Sequence, residues 1–167
     1  MIFLGIDPGT AITGYGFICE KQDQDLEVLD YGVITTKKDL PIEKRLLIIH
    51  KKLKMLIDLH RPVECAVEKL FFQKNVTTAI SVGQARGVVL FTMASERIKI
   101  AEYTPLEIKQ SVVGYGAADK YQVQSMVKAI LHLSDIPKPD DAADALAVAV
   151  CHCHSRKMRA LAENSKD

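Results

Sequence analysis

The sequence predicts an α/β domain, a mixed five-stranded sheet with helices on both faces. Three observations predict it. A short unbroken apolar run, Ile2 to Ile6, stops at Asp7-Pro8-Gly9-Thr10; two β-rich stretches follow at once; and from Pro41 onward helix-period and strand-like segments alternate.

Ile2 to Ile6 has the unbroken apolar character of a strand buried on both faces, and the turn signal after it leaves Asp7 at a strand end. Thr13 to Cys19 and Leu26 to Thr35 flank the polar loop Lys21 to Asp25, which makes an antiparallel meander with the first strand. Pro41 opens a helix in which Leu46, Ile49, Leu53, Leu56 and Ile57 recur at spacings of three and four, ending before Pro62. Val63 to Val67 repeats the first strand's design and ends at Glu68.

The polar loop Phe71 to Asn75 leads to a long helix from about Val76 to Arg97 and a strand from Ile98 to Tyr103. Thr104-Pro105 is a helix start, with a hydroxyl at the N-cap and proline in the first turn, and Gly114-Tyr115-Gly116 ends that helix. Another helix runs from Ala118 or Asp119 to Leu133, and the last from Asp140 to about Leu161. Residues 1–161 are expected to form one domain, with 162–167 frayed.

Composition narrows the class. The chain has 167 residues, 48% of them hydrophobic, which suits one core and leaves no room for a second full domain. Its 22 basic and 21 acidic residues exclude a disordered or supercharged chain and name no partner. No stretch is long and apolar enough to span a bilayer, and the N-terminal run breaks too early for a secretion signal, so a cytoplasmic location and no membrane contact are expected. The four cysteines suggest no disulfide framework. Cys151-His152-Cys153-His154 resembles a zinc motif, but four consecutive helical residues point around the helix and cannot converge on one ion.

The chemistry lies in the acids. Asp7 and Glu68 each close an apolar strand, and strand ends line the crevice where α/β sheets place their ligands. One such acid could simply cap a turn; two similar placements are harder to explain so. Asp141 and Asp144, three apart on the last helix, share a face, while the alanines between and after them allow close packing on the sheet. Asp140 fits the role of a cap that complements the helix dipole. Four converging carboxylates would repel unless a divalent cation joined them, and a site without His or Cys suits Mg²⁺ or Mn²⁺. Two ions ~4 Å apart could activate water and stabilise the leaving oxygen of a phosphodiester.

The ordered set Gly5-Ile6-Asp7-Pro8-Gly9-Thr10, Thr13-Gly14-Tyr15-Gly16, Glu68, Phe71, Gly83-Gln84-Ala85-Arg86-Gly87, Lys109 to Gly114 and Asp141 to Ala147 resembles the RuvC family of Holliday junction endonucleases over nearly the whole chain. The resemblance implies a ribonuclease H-like fold and a homodimer that nicks two strands of like polarity across four-way junction DNA, leaving 5′-phosphate and 3′-hydroxyl ends. It implies Asp7, Glu68, Asp141 and Asp144 as catalytic and metal-binding residues, two Mg²⁺ per site with Mn²⁺ as a substitute, and RuvA and RuvB as partners. It also gives Phe71 a stacking role on an unpaired base and sets Lys109 and Lys120 near the scissile phosphate; Phe72 is expected to turn inward, Arg86 to contact DNA or a dimer partner, and Lys74 to add positive surface for DNA. Gly83 and Gly87 suggest a closely packed helix face, against the sheet or, by the resemblance, at a dimer interface. The Arg156, Lys157 and Arg159 cluster could add a local positive surface.

The sequence leaves three rivals open. Asp7-Pro8-Gly9-Thr10 also resembles the first phosphate loop of actin-like and sugar-kinase ATPases, although these need a second such domain. A junction-binding module without catalysis leaves the acids unexplained, since carboxylates near phosphate weaken binding. Another ribonuclease H-like nuclease, of the YqgF kind, would differ in its nucleic acid.

Overall fold

The computed structural model describes residues 1–22, 25–69 and 76–164, apart from the side chains at 76–78, 157 and 159–164. Strands β1 (Ile2–Asp7), β2 (Ile12–Glu20) and β3 (Leu26–Thr35) form the expected meander, followed by α1 (Ile42–His60), β4 (Glu64–Glu68), α2 (Val76–Ser95) and β5 (Lys99–Tyr103). Helices α3 (Pro105–Val113), α4 (Lys120–Ile130) and α5 (Asp140–Asn164) complete the fold. The sheet order is β3-β2-β1-β4-β5, with β1 antiparallel to β2 and parallel to β4, and β4 parallel to β5.

Strand alternation sorts the core into two layers. Leu4 and Ile6 of β1, Cys65 and Val67 of β4 and Phe17 of β2 face Ile49, Leu53 and Ile57 of α1 and Ala85, Val89 and Met93 of α2. Phe3, Ala66 and Ile18 point the opposite way, into a layer shared with α3, α4 and α5. Helix α5 is buried on every side from Ala145 to Cys151, held between the sheet and its neighbouring helices, which explains a run of apolar residues with no polar face.

Local chemistry sets the helix starts. Thr104 accepts from the Glu107 backbone N–H while the Glu107 carboxylate accepts from Thr104 N–H, and Asp119 and Gln122 repeat this reciprocal cap on α4. Asp140, expected to cap α5, is instead its first residue and accepts from the Gln124 amide at 3.2 Å. Residues 162–164, expected to fray, continue α5; 165–167 lie outside the described residues. Helix α2 ends at Ser95, slightly before the predicted Arg97, because Arg97 adopts a left-handed φ of 58°.

Helix α5 packs closely against β1 and β2. A methyl group built on Gly5 would collide with the Ala145 carbonyl and Ala149, one on Gly14 with the Asp141 carbonyl, and one on Gly16 with Leu146. Gly5 and Gly16 are register partners, as are Asp7 and Gly14, so a floor without side chains receives the helix backbone directly. Gly83 and Gly87 differ: among the described residues a methyl there meets nothing within 4 Å, so the expectation that this face packs on its own sheet is not met there.

Gly5→Ala should therefore push α5 off the sheet and lower unfolding stability by about 1–3 kcal/mol, read from the urea midpoint. An unchanged midpoint would contradict this packing.

Candidate active site

Alternation along β1 turns Asp7 to the same face as Phe3 and Gly5, and along β4 turns Glu68 to the same face as Ala66. Because β1 and β4 are parallel and Ile6 pairs with Val67, the two acids close adjacent strands at one sheet edge, facing α5. The glycine floor fixes the helix register that brings Asp141 and Asp144 to the same edge.

Burial and mutual repulsion mark these groups as one cluster. Burial, then the charges of Glu68, Asp144 and Asp141, raise the Asp7 carboxyl from 3.8 to about 7, with Lys120 opposing. Burial and Asp144 push Glu68 up. Burial also raises Asp144, although a hydrogen bond from Lys120 pulls the other way. The Lys120 ammonium lies 3.0 Å from Asp144 Oδ2 and 3.2 Å from Asp140 Oδ2. Beside it opens a cleft of about 210 Å³ lined by the polar Glu68, Lys109, Lys120 and Asp144 and the apolar Pro105, Ile108, Val123 and Ala147. Among the described residues no three His, Cys, Asp or Glu side chains already converge as a ligand set. Lys120 takes part of the coordinating capacity of Asp144.

The turn after Asp7 is tethered on three sides. The Thr13 hydroxyl donates to Gly9 O at 2.6 Å, the Thr10 hydroxyl to Ser81 O on α2, and the Thr36 hydroxyl to Thr10 O at 2.6 Å. Arg45 then donates to Thr36 at 2.8 Å. The sequence shows Thr10 and Thr13 only as parts of a motif, and their task of holding the Asp7 loop is not legible from that motif. The signal available was two hydroxyl residues within one turn of a strand-end acid.

A family model for the crossover junction endodeoxyribonuclease RuvC matches residues 3–152. The chain belongs to the RuvC family. It is 54% identical over 166 residues to the RuvC of Ruminiclostridium cellulolyticum, covering 99% of both chains. With that of Halothermothrix orenii it shares 56% identity over 158 residues, 95% of both chains. The structure of T. thermophilus RuvC in complex with a Holliday junction substrate superposes with a TM-score of 0.87 at 31% identity, covering 95% of this chain and 96% of that one.

In this RuvC-family chain Glu68, Asp141 and Asp144 lie near enough to Asp7 to raise its carboxyl, and Lys109 and Lys120 line the cleft with Glu68 and Asp144. Arg86, expected on DNA or at an interface, pairs its guanidinium with Glu102 on β5. Arg156, expected to add positive surface, is spent internally: it pairs with Glu20 and Glu64 at 3.4 Å and lies over the Phe3 ring. Phe71, Phe72 and Lys74 lie outside the described residues. The Cys-His stretch is structural here. Buried His152 shares hydrogen bonds with Tyr103 Oη at 2.9 Å and Glu64 at 3.0 Å, and His154 with Ser111 O at 3.1 Å.

Between about pH 4 and pH 7 the folded chain keeps a proton on Asp7 that the unfolded chain has lost, so this group's contribution to stability is full at low pH and falls as pH rises through that window. Asp7→Asn should be more stable than wild type by about 2–4 kcal/mol near pH 8 without divalent cations, the gap closing towards pH 4. Urea denaturation across pH reads this; a gap independent of pH would refute it.

Proposed function

We propose that the chain resolves Holliday junctions by divalent-metal-dependent hydrolysis of the phosphodiester backbone, with Asp7, Glu68, Asp141 and Asp144 as the metal-holding, catalytic carboxylates. The observation that carries this reading is geometric: Asp7, buried at the end of β1, lies near enough to Glu68, Asp141 and Asp144 for each to raise its carboxyl, and Glu68 and Asp144 line an open cleft. Such crowding is costly for a purely structural cluster, and an oxygen-only donor set suits a hard cation. The expected ions are two Mg²⁺ per site, with Mn²⁺ able to substitute. When bound, they would supply an activated water and neutralise charge at the leaving oxygen.

The chain's own side chains do the remaining work. Lys109 and Lys120, which line the cleft, would hold the phosphate flanking the cut. Phe71 keeps the stacking role that the resemblance gives it, and Lys74 the positive charge for DNA that the sequence suggests. Arg86 would have to leave Glu102 to join them.

One cluster of acids makes one incision, so two cuts call for two copies. Support for a homodimer comes from α2, where Ile80, Gly83, Gly87 and Phe91 form a stripe at spacings of three, four and four. Ile80 and Phe91 are 64% and 65% exposed, and among the described residues the two glycines have open space beside them for close approach by another chain. Contact with RuvA and RuvB rests on the family resemblance.

Glu68→Gln and Asp144→Asn should each abolish cleavage of a synthetic four-way junction in Mg²⁺ while junction binding persists. Wild type mixed with excess Glu68→Gln should leave junctions nicked once. Full cleavage by either variant, or equal cutting of linear duplex and RNA/DNA hybrid, would overturn the reading.

A further inference from the structure

The four-acid site leaves one neighbouring carboxylate without a task. Asp140 and Asp144 stand four residues apart on α5, and Lys120 Nζ lies between them, 3.2 Å from Asp140 Oδ2 and 3.0 Å from Asp144 Oδ2. The other oxygen of Asp140 accepts from Nε2 of Gln124 at 3.2 Å, and Gln124 is buried, 8% exposed. Gln124 lies one turn beyond Lys120 on α4, so a single helix both supplies the ammonium and orients its second acceptor. The reciprocal cap between Asp119 and Gln122 fixes the start of that helix.

The two acids differ in setting. Asp144 lines the cleft with Glu68, while the Asp140 side chain is 64% exposed at its edge. A divalent cation drawn to Asp144 repels the ammonium beside it. Lys120 then needs another anionic seat, or it either competes for Asp144 or swings into solvent, away from the phosphate.

We propose that Asp140, oriented by Gln124, is a positioning residue that takes over Lys120 when metal engages Asp144, keeping the ammonium at the edge of the cleft. This rests on the metal reading of the four carboxylates. It assigns Asp140 a role through Lys120 and none as a metal ligand.

The test is a double-mutant cycle with two readouts: Mn²⁺ binding by electron paramagnetic resonance on the whole chain without DNA, and the single-turnover cleavage rate on junction DNA at saturating Mn²⁺. Asp140→Asn keeps an acceptor for Gln124 but removes the charge facing Lys120. It should weaken Mn²⁺ binding by about threefold and slow cleavage by a similar factor. In a Lys120→Met background the same substitution should change neither readout. Gln124→Met, which alters no charge, should shift both readouts of the otherwise wild-type chain in the same direction by less. An equal effect of Asp140→Asn with and without Lys120 would show a general charge effect and overturn the proposal, as would no effect in the wild-type background. Failure of wild type to bind Mn²⁺, together with full activity of Glu68→Gln, would instead bring down the metal reading itself.

Discussion

The backbone of α5 rests against β1 and β2 with no side chain between them, and the geometry of the site depends on that contact. Gly5, Gly14 and Gly16 provide the floor; the carbonyls of Asp141 and Ala145 and the side chains of Ala149 and Leu146 settle onto it. A helix one methyl group further out would carry Asp141 and Asp144 away from the sheet edge where Asp7 and Glu68 end their strands. Interiors packed at crystal-like density do not absorb such a displacement locally. The same contact explains why α5 is rich in alanine near its start, and why its buried run continues to Cys153.

Charge is arranged with similar economy. Asp7 carries the burden of burial and of three neighbouring acids, and Lys120 offsets part of it from the rim. Other basic residues are committed elsewhere: Arg86 to Glu102, Arg156 to Glu20 and Glu64, and Lys54 to Asp58 and Glu96. The formal net charge of +1 therefore conceals an acidic centre edged by Lys109 and Lys120 and a surface on which many charges are paired. For a nucleic-acid enzyme, this places the attraction for phosphate locally at the cleft rather than across the whole molecule.

Much of this was legible in the amino-acid order. The apolar runs closing at Asp7 and Glu68, the meander, and the Thr104 and Asp119 helix starts are short-range signals, and local physics decides them. The pairing of Asp141 with Asp144 on one helix face was readable from their spacing, and small neighbours suggested close packing. Less legible were features that need two distant segments at once. Nothing near Asp140 announces that Gln124 and Lys120 will converge on it, so a dipole cap was the natural expectation. Arg156 lies in a basic cluster in the sequence, yet the fold turns it back onto Glu20, Glu64 and Phe3. The spacing of Gly83 and Gly87 suggests a packing face, and the open space beside them shows that no partner for it lies within the described residues.

Anomalous scattering from crystals soaked in Mn²⁺ tests the central claim most directly, that a glycine-floored helix brings four acids together to hold divalent metal. Density bounded by Asp7, Glu68, Asp141 and Asp144, with Lys120 moved off Asp144, is the expected result. Manganese bound instead along Cys151 to His154, or absent from the four carboxylates at a concentration that supports cleavage, would contradict it.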